Sequence, residues 1–498
     1  MTTIRIKRSS RILRYVASTA AIIASTGCGE RSAMQSGRSS SNVVSSGAES
    51  LSGDSIAKAK VQNNCVALNQ EICLGTVVDT GGCSDAAPGI NSCLNALNAL
   101  KPENRTLALP PGRYLIKSTI KIQHDDITLS TQGLSNDLTT CLKNTTSKRC
   151  AVLLAADDFG EPVKPDNSFA RAMLRIGTNT KPVNRVTLDH IALDGAKDTR
   201  SKNGDITKNC GAGGGGRNLM EAGGSDNKLL YSASVNALCG TAVGWAVAKT
   251  GIKSEIKNNY IANNGIGYPD NTIWSDGLTI GTVSNATITG NLFQDSTDVD
   301  VVIGGATDTT FSNNIIYHPN LNSFAGFMLT NWSLRKKADP NCLQSKDPSC
   351  PPPPQWADFR GLVVSDNTFR CNYHVQICVQ IGIFPWFYPD TGWANWRTMG
   401  GTFRNNEIYT QNQGINVGGG GTLKDPVILD GNKIYKTGAA TAEIGAGSNR
   451  KSRPVGKLNV FGPKAENFIQ FECSGCSPSD TLPKDRDVDQ ADPWHSIF

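Results

Sequence analysis

Residues 291–304 read Asn291-Leu292-Phe293-Gln294-Asp295-Ser296-Thr297-Asp298-Val299-Asp300-Val301-Val302-Ile303-Gly304. The stretch holds an Asn followed, after one variable residue, by Ile or Phe, then a polar turn, then a short alternating strand ending at Gly. The opening motif recurs as Asn259-Tyr260-Ile261, Asn314-Ile315-Ile316, Asn367-Thr368-Phe369, Asn406-Glu407-Ile408 and Asn432-Lys433-Ile434. Successive Asn residues are 32, 23, 53, 39 and 26 apart, which fits a base period near 23 with insertions. The closing strand recurs as Leu278-Thr279-Ile280-Gly281, Val379-Gln380-Ile381-Gly382 and Ile415-Asn416-Val417-Gly418.

Alternation marks a strand with one buried face. Repetition at this interval means that each unit buries its face only by stacking on the next. Val301 is expected to stack on Leu278, Phe327, Val379 and Ile415, and Ile303 on Ile280, Leu329, Ile381 and Val417. The recurrent Asn suits an inward amide ladder, each side chain bonding the coils on either side. A β-sandwich with Asn-rich turns would space its strands nearer 8–12 residues.

This pattern resembles the right-handed parallel β-helix of the pectin lyase-like superfamily. The N-terminal part carries the resemblance further. Cys83–Leu100 has apolar residues at helical spacing, and Leu107-Ala108-Leu109-Pro110-Pro111-Gly112-Arg113-Tyr114-Leu115-Ile116 matches that family's strand, Pro-Gly turn and strand. The resemblance implies an all-β fold, a right-handed parallel β-helix (solenoid), with a short N-terminal helix capping the open end of the coil. An uncapped end would expose a hydrophobic cross-section and a sheet edge.

The chain has 498 residues, 38% hydrophobic and 18% charged, so it is neither a disordered polyelectrolyte nor a membrane bundle. Of the net charge of +6, Arg5, Lys7, Arg8, Arg11 and Arg14 carry five, and the remainder is near neutral. A nucleic-acid binder needs a basic stripe on its folded body, and that reading loses its support. The basic segment, the apolar Tyr15–Ala24 and Ser25-Thr26-Gly27-Cys28 read as an export signal similar to a bacterial lipobox. The expectation is cleavage before Cys28, lipid on its thiol and attachment to the outer membrane, through the lipid alone. The domains expected are 1–27 signal, 28–60 Ser/Gly-rich tether, 61–125 cap and first strands, 126–460 β-helix with insertions, and 461–498 tail.

Fifteen Cys suit an oxidising compartment. Close pairs are Cys65/Cys73, Cys83/Cys93, Cys141/Cys150, Cys342/Cys350, Cys371/Cys378 and Cys473/Cys476, with Cys210/Cys239 as a longer pair; connectivity stays open. Cys210–Arg217 is glycine-rich and reads as a flexible insertion rather than a phosphate loop.

The densest acidic cluster is Asp295, Asp298 and Asp300, one coil after Trp274-Ser275-Asp276-Gly277. Matching the strand ends places Ser275 beside Asp298 and Gly277 beside Asp300. Val299, Val301 and Ile303 are expected to point inward, and Asp276, Asp298 and Asp300 to share one outer patch. Crowded carboxylates cannot all ionise freely. They can act as acid and base on a glycosidic bond or bind Ca²⁺. With Ca²⁺ beside a uronate carboxylate, Arg335 or Lys336 would remove a C5 proton in β-elimination. They can also simply cap turns. No cofactor is required by the sequence, and Ca²⁺ is the one it leaves open.

Trp386, Tyr388, Trp393 and Trp396 crowd one loop and, with Trp274 and Trp332, are the candidates for stacking on sugar. The expected function is action on an extracellular polysaccharide, uronate-containing, as a lyase or glycoside hydrolase. The partner is that polysaccharide, not nucleic acid, and the chain is expected to be a monomer. The alternatives are a non-catalytic glycan-binding or adhesive surface lipoprotein and a structural envelope protein without a ligand.

Overall fold

The computed structural model describes residues 81–471 apart from 144–149, 160–171, 179, 204–216, 248, 268–273, 330–356, 372–374, 382–397, 418–424, 437–443, 447–454 and 462–468. The chain winds as a right-handed parallel β-helix. A 22-stranded sheet receives two strands from a typical coil and a ten-stranded sheet receives one. In one coil, Thr287–Thr289 and Leu292–Ser296 belong to the large sheet and Val299–Ile303 to the smaller. Among the described residues, all pairings between coils are parallel except the last, where Val455–Phe461 meets Ile469–Phe471 antiparallel.

The register matches the expectation. Leu278 pairs with Val301, Val301 with Phe327, Phe327 with Val379 and Val379 with Ile415. The parallel column runs Ile280, Ile303, Leu329, Ile381 and Val417. Leu278, Val301, Phe327, Val379, Ile415, Ile280, Ile303, Leu329 and Ile381 lie in the continuous core inside the coil, with Phe293, Phe311, Phe369 and Phe403.

The Asn ladder forms. Asn259 Nδ2 donates to Asn291 Oδ1 at 2.9 Å, Asn291 to Asn314 at 2.9 Å, Asn314 to Asn367 at 3.1 Å, Asn367 to Asn406 at 2.9 Å and Asn406 to Asn432 at 2.8 Å. Each Oδ1 also accepts the preceding Asn's backbone N–H, and each Nδ2 also donates to a core-strand carbonyl, as Asn314 does to Ile288 O. A primary amide has two donors and two acceptor lone pairs, so a stacked Asn can be saturated inside an apolar coil.

The predicted helix is Ala87–Ala96, continued by a 3₁₀ turn Leu97–Ala99. Ala87, Ile90, Cys93 and Leu94 are its buried face. It lies over Ile120–Ile122, the edge strand of the ten-stranded sheet. There Asn91 donates to Thr119 O at 3.0 Å and accepts Lys121 N–H at 2.7 Å. The helix thus covers both the hydrophobic cross-section and the unpaired edge. Cys141–Cys150 and Cys371–Cys378 are disulfides as expected, and Cys93 and Cys239 are disulfide-bonded too.

Candidate functional site

Asp298 N donates to Ser275 O at 3.1 Å, which fixes the coil-to-coil register expected from sequence. The side chains depart from that expectation at one point. Strict alternation would set Asp298 and Asp300 on one face and Val299 with Val301 on the other. Instead Val299 packs with Val302, Phe324, Ala325, Met328 and Ile377, a cluster separate from the main core. Val301 and Ile303 remain in the main core. The pleat breaks at Asp300, so residues three apart share the outer face: Val299 with Val302, and Asp276 with Thr279.

Asp300 accordingly turns into the coil. It is 0% exposed, its Oδ1 accepts the Ser296 backbone N–H at 2.9 Å, and its Oδ2 lies 3.5 Å from His318 Nε2. Burial raises its pKa to about 6, and the His318 charge pulls against that rise. It is not part of an outer acidic patch. Glycine stands at the equivalent positions of the flanking coils, where the backbones pack closely. A Cβ on Gly277 would meet Asp300 O at 2.5 Å and Ser296 Oγ at 2.9 Å; one on Gly326 would meet Cys378 O at 2.9 Å. Asp295, with φ +53° near the end of the strand Leu292–Ser296, braces the loop of the next coil: Oδ1 accepts the N–H groups of Asn320 and Leu321 at 3.0 and 3.1 Å. His318 is held between Asp295 and Asp300.

Asp276 and Asp298 do meet, on the outer face of the ten-stranded sheet, and only 3% and 4% of each is exposed. Asp276 Oδ2 accepts the Thr279 hydroxyl at 2.7 Å, and Thr241 Oγ1 lies 3.2 Å from Thr279 Oγ1. Asp276 Oδ1 and Asp298 Oδ1 have no N–H or O–H donor. The two carboxyls stand within hydrogen-bonding reach of one another. A carboxyl that takes up a proton can supply that donor to its neighbour. Burial raises the Asp276 pKa to about 7, opposed by the Thr279 hydroxyl and the nearby Arg217. Burial also raises Asp298 well above the usual carboxylate range, and the charge of Asp276 adds to the rise. This is the behaviour of a buried like-charge pair.

Arg217 was missed as a functional candidate. It opens the strand Arg217–Glu221 and is half-buried, so it is not merely the end of a glycine-rich insertion. Thr241 and Thr279 were missed too; Thr279 occupies the outward position of a strand whose alternation was read. Trp274 precedes the strand Ser275–Ile280 and is half-buried, its carbonyl accepting Gly240 N–H at 3.0 Å. Arg335, Lys336, Trp332, Trp386, Tyr388, Trp393, Trp396 and Cys28 lie outside the described residues. With Asp300 inside, the outer patch keeps two of the three carboxylates on which the Ca²⁺ expectation rested. Among the described residues no group of three or more His, Cys, Asp or Glu is arranged to hold a metal.

No protein-family profile and no curated protein sequence matches the chain. Among solved structures it is similar to the tailspike protein of Escherichia coli bacteriophage HK620 in complex with a pentasaccharide, at 9% identity and a TM-score of 0.47. A point mutant of that tailspike, also with pentasaccharide, gives the same values. The similarity covers 78% of this chain and 58% of the tailspike chain. Nothing of the tailspike's chemistry is transferred on a likeness of this level; the fold rests on the strand pairings themselves.

Proposed function

We propose that the protein cleaves a glycosidic bond in an extracellular polysaccharide, with Asp276 and Asp298 as its acid–base unit. The observation that carries this reading is the contact of two buried carboxyls on adjacent coils, both held above the usual carboxylate range by burial, Asp276 at about 7. A group poised near the working pH serves both as proton donor and, once ionised, as acceptor.

The pair is in hydrogen-bonding contact, closer than the roughly 5–9.5 Å at which two carboxyls flank a sugar ring in retaining or inverting hydrolysis. It therefore acts from one side of the bond. The neutral carboxyl protonates the glycosidic oxygen as the C–O bond breaks. The ionised one takes a proton from the attacking water, whose oxygen adds to the anomeric carbon. The pair ends with one proton, as it began. Arg217 beside Asp276 suits a uronate carboxylate on the substrate. Export and a lipid on Cys28 would place this chemistry at the outer cell surface.

The test is a polysaccharide panel read by reducing ends and by absorbance near 235 nm. Reducing ends without absorbance, lost in Asp298→Asn, are the expected result. Absorbance would assign β-elimination instead. Binding without any product would leave the glycan-binding lipoprotein as the better reading.

A further inference from the structure

A pocket of about 560 Å³ opens on the N-terminal coils, away from the Asp276–Asp298 coils. Its floor is an outward column of the large sheet in which Leu115 pairs with Leu154 and Leu154 with Asp194. Leu115 and Leu154 are half-buried and Ala155 is buried, so apolar surface faces the space. The rim carries both charges: Arg113, Lys117 and Lys197 against Asp157, Asp158 and Asp198. Lys197 is 6% exposed and is locked by Asn263 Oδ1 at 2.7 Å and Gly265 O at 2.9 Å.

We infer that this pocket is a second glycan subsite, which takes a neutral sugar unit rather than a uronate. The inference rests on the glycan reading above. A pyranose has an apolar C–H face for the Leu115–Leu154 floor. Its hydroxyls both donate and accept, so they are matched by a rim that mixes carboxylates with ammonium and guanidinium groups. A polyuronate segment would place its own carboxylates against Asp157, Asp158, Asp194 and Asp198, all of which line the space. Like charges brought together there disfavour it. Asn236 on the rim bonds Asn263 of the next coil at 2.6 Å, and Asp295 follows one coil later at the same corner. The rim is thus about 10 Å along the axis from the coil of Asp298, at ~4.8 Å per coil. One polymer can engage both places.

The test is calorimetric titration of the full chain carrying Asp298→Asn with cellotetraose, xylotetraose and tetragalacturonate. A neutral tetrasaccharide is expected to bind. The added changes Asp158→Ala with Asp198→Ala, at two exposed positions, should weaken it by at least about tenfold. Leu154→Trp, which fills the floor, should do the same. Tetragalacturonate should be insensitive to these changes. No binding by either neutral probe, binding unchanged by the Asp158/Asp198 pair, or uronate binding lost with it would each overturn the inference. Cleavage is scored separately with Asp298 intact. A pocket that binds in a protein that cleaves nothing fails the catalytic reading alone, and cleavage with a silent pocket fails this one alone.

Discussion

The asparagine ladder and the Asp276–Asp298 pair are both polar, buried and built from side chains one coil apart, yet they differ in how their atoms are satisfied. Every interior rung of the ladder finds donors for its oxygen and acceptors for its nitrogen. The carboxyl pair is left with two oxygens that no donor reaches. A stacked amide completes itself because it is both donor and acceptor. A stacked carboxylate is only an acceptor until it takes up a proton. Repetition therefore stabilises the first arrangement and raises proton affinity in the second, which is what separates scaffold from chemistry here.

Substitution should break this contrast most sharply at Asp298. Asp298→Asn is expected to lower kcat by about 10²–10⁴-fold, the usual worth of a positioned acid–base group. Thermal melting should show stability unchanged or higher, because the new amide is a permanent donor beside Asp276 and the like-charge partner is gone. Asn314→Ala should do the reverse. It strands two Asn291 donors and takes the side-chain donor from the Ile288 carbonyl and from the Asn367 oxygen, which keeps the backbone N–H of residue 314. At roughly 1–3 kcal/mol for a buried group left unpaired, the loss should reach about 3 kcal/mol by urea denaturation. Asn432→Ala, at the ladder's last rung, strands fewer groups and should cost less. Asp300→Asn sharpens the comparison further. The inward residue keeps its contact with Ser296 as an amide, so activity should change by less than about threefold in the same reducing-end assay.

The smallest effect is on stability against pH. Asp276 and Glu221 titrate at about 7 and Asp300 at about 6 in the folded chain, all above the ordinary carboxylate value. The folded state therefore binds more protons than the unfolded one between roughly pH 4 and 7. Stability falls as pH rises through that window and levels off above it. Melting should be higher near pH 5 than at pH 8, and Glu221→Gln should flatten the slope. A profile rising with pH would contradict the assignment.

The coil, its register and the ladder were legible because they depend on periodic residues: an Asn at each rung and β-branched or aromatic residues two apart. The meeting of Asp276 with Asp298 followed from the same period. The inward turn of Asp300 did not, because a break in pleating is local and leaves the hydrophobic count unchanged. Glycine one coil before and one coil after, Gly277 and Gly326, marks the position as one where the backbones approach too closely for a Cβ. Arg217 was hidden by its neighbours: four glycines ahead of it suggested a loop ending, while pairing with Ala172 makes it a strand start. Glu221 gave no signal, since its three partners, Gly223, Asn227 and Ala246, are gathered by folding.

The rungs of the ladder meet across intervals of 23, 26, 32, 39 and 53 residues with nearly the same bond lengths. The spine is thus indifferent to how much chain runs between its contact points. An excursion can grow by thirty residues beyond the shortest turn while the coils above and below keep their seats. Such a body can change what it displays on its flanks, generation after generation, and leave its axis untouched.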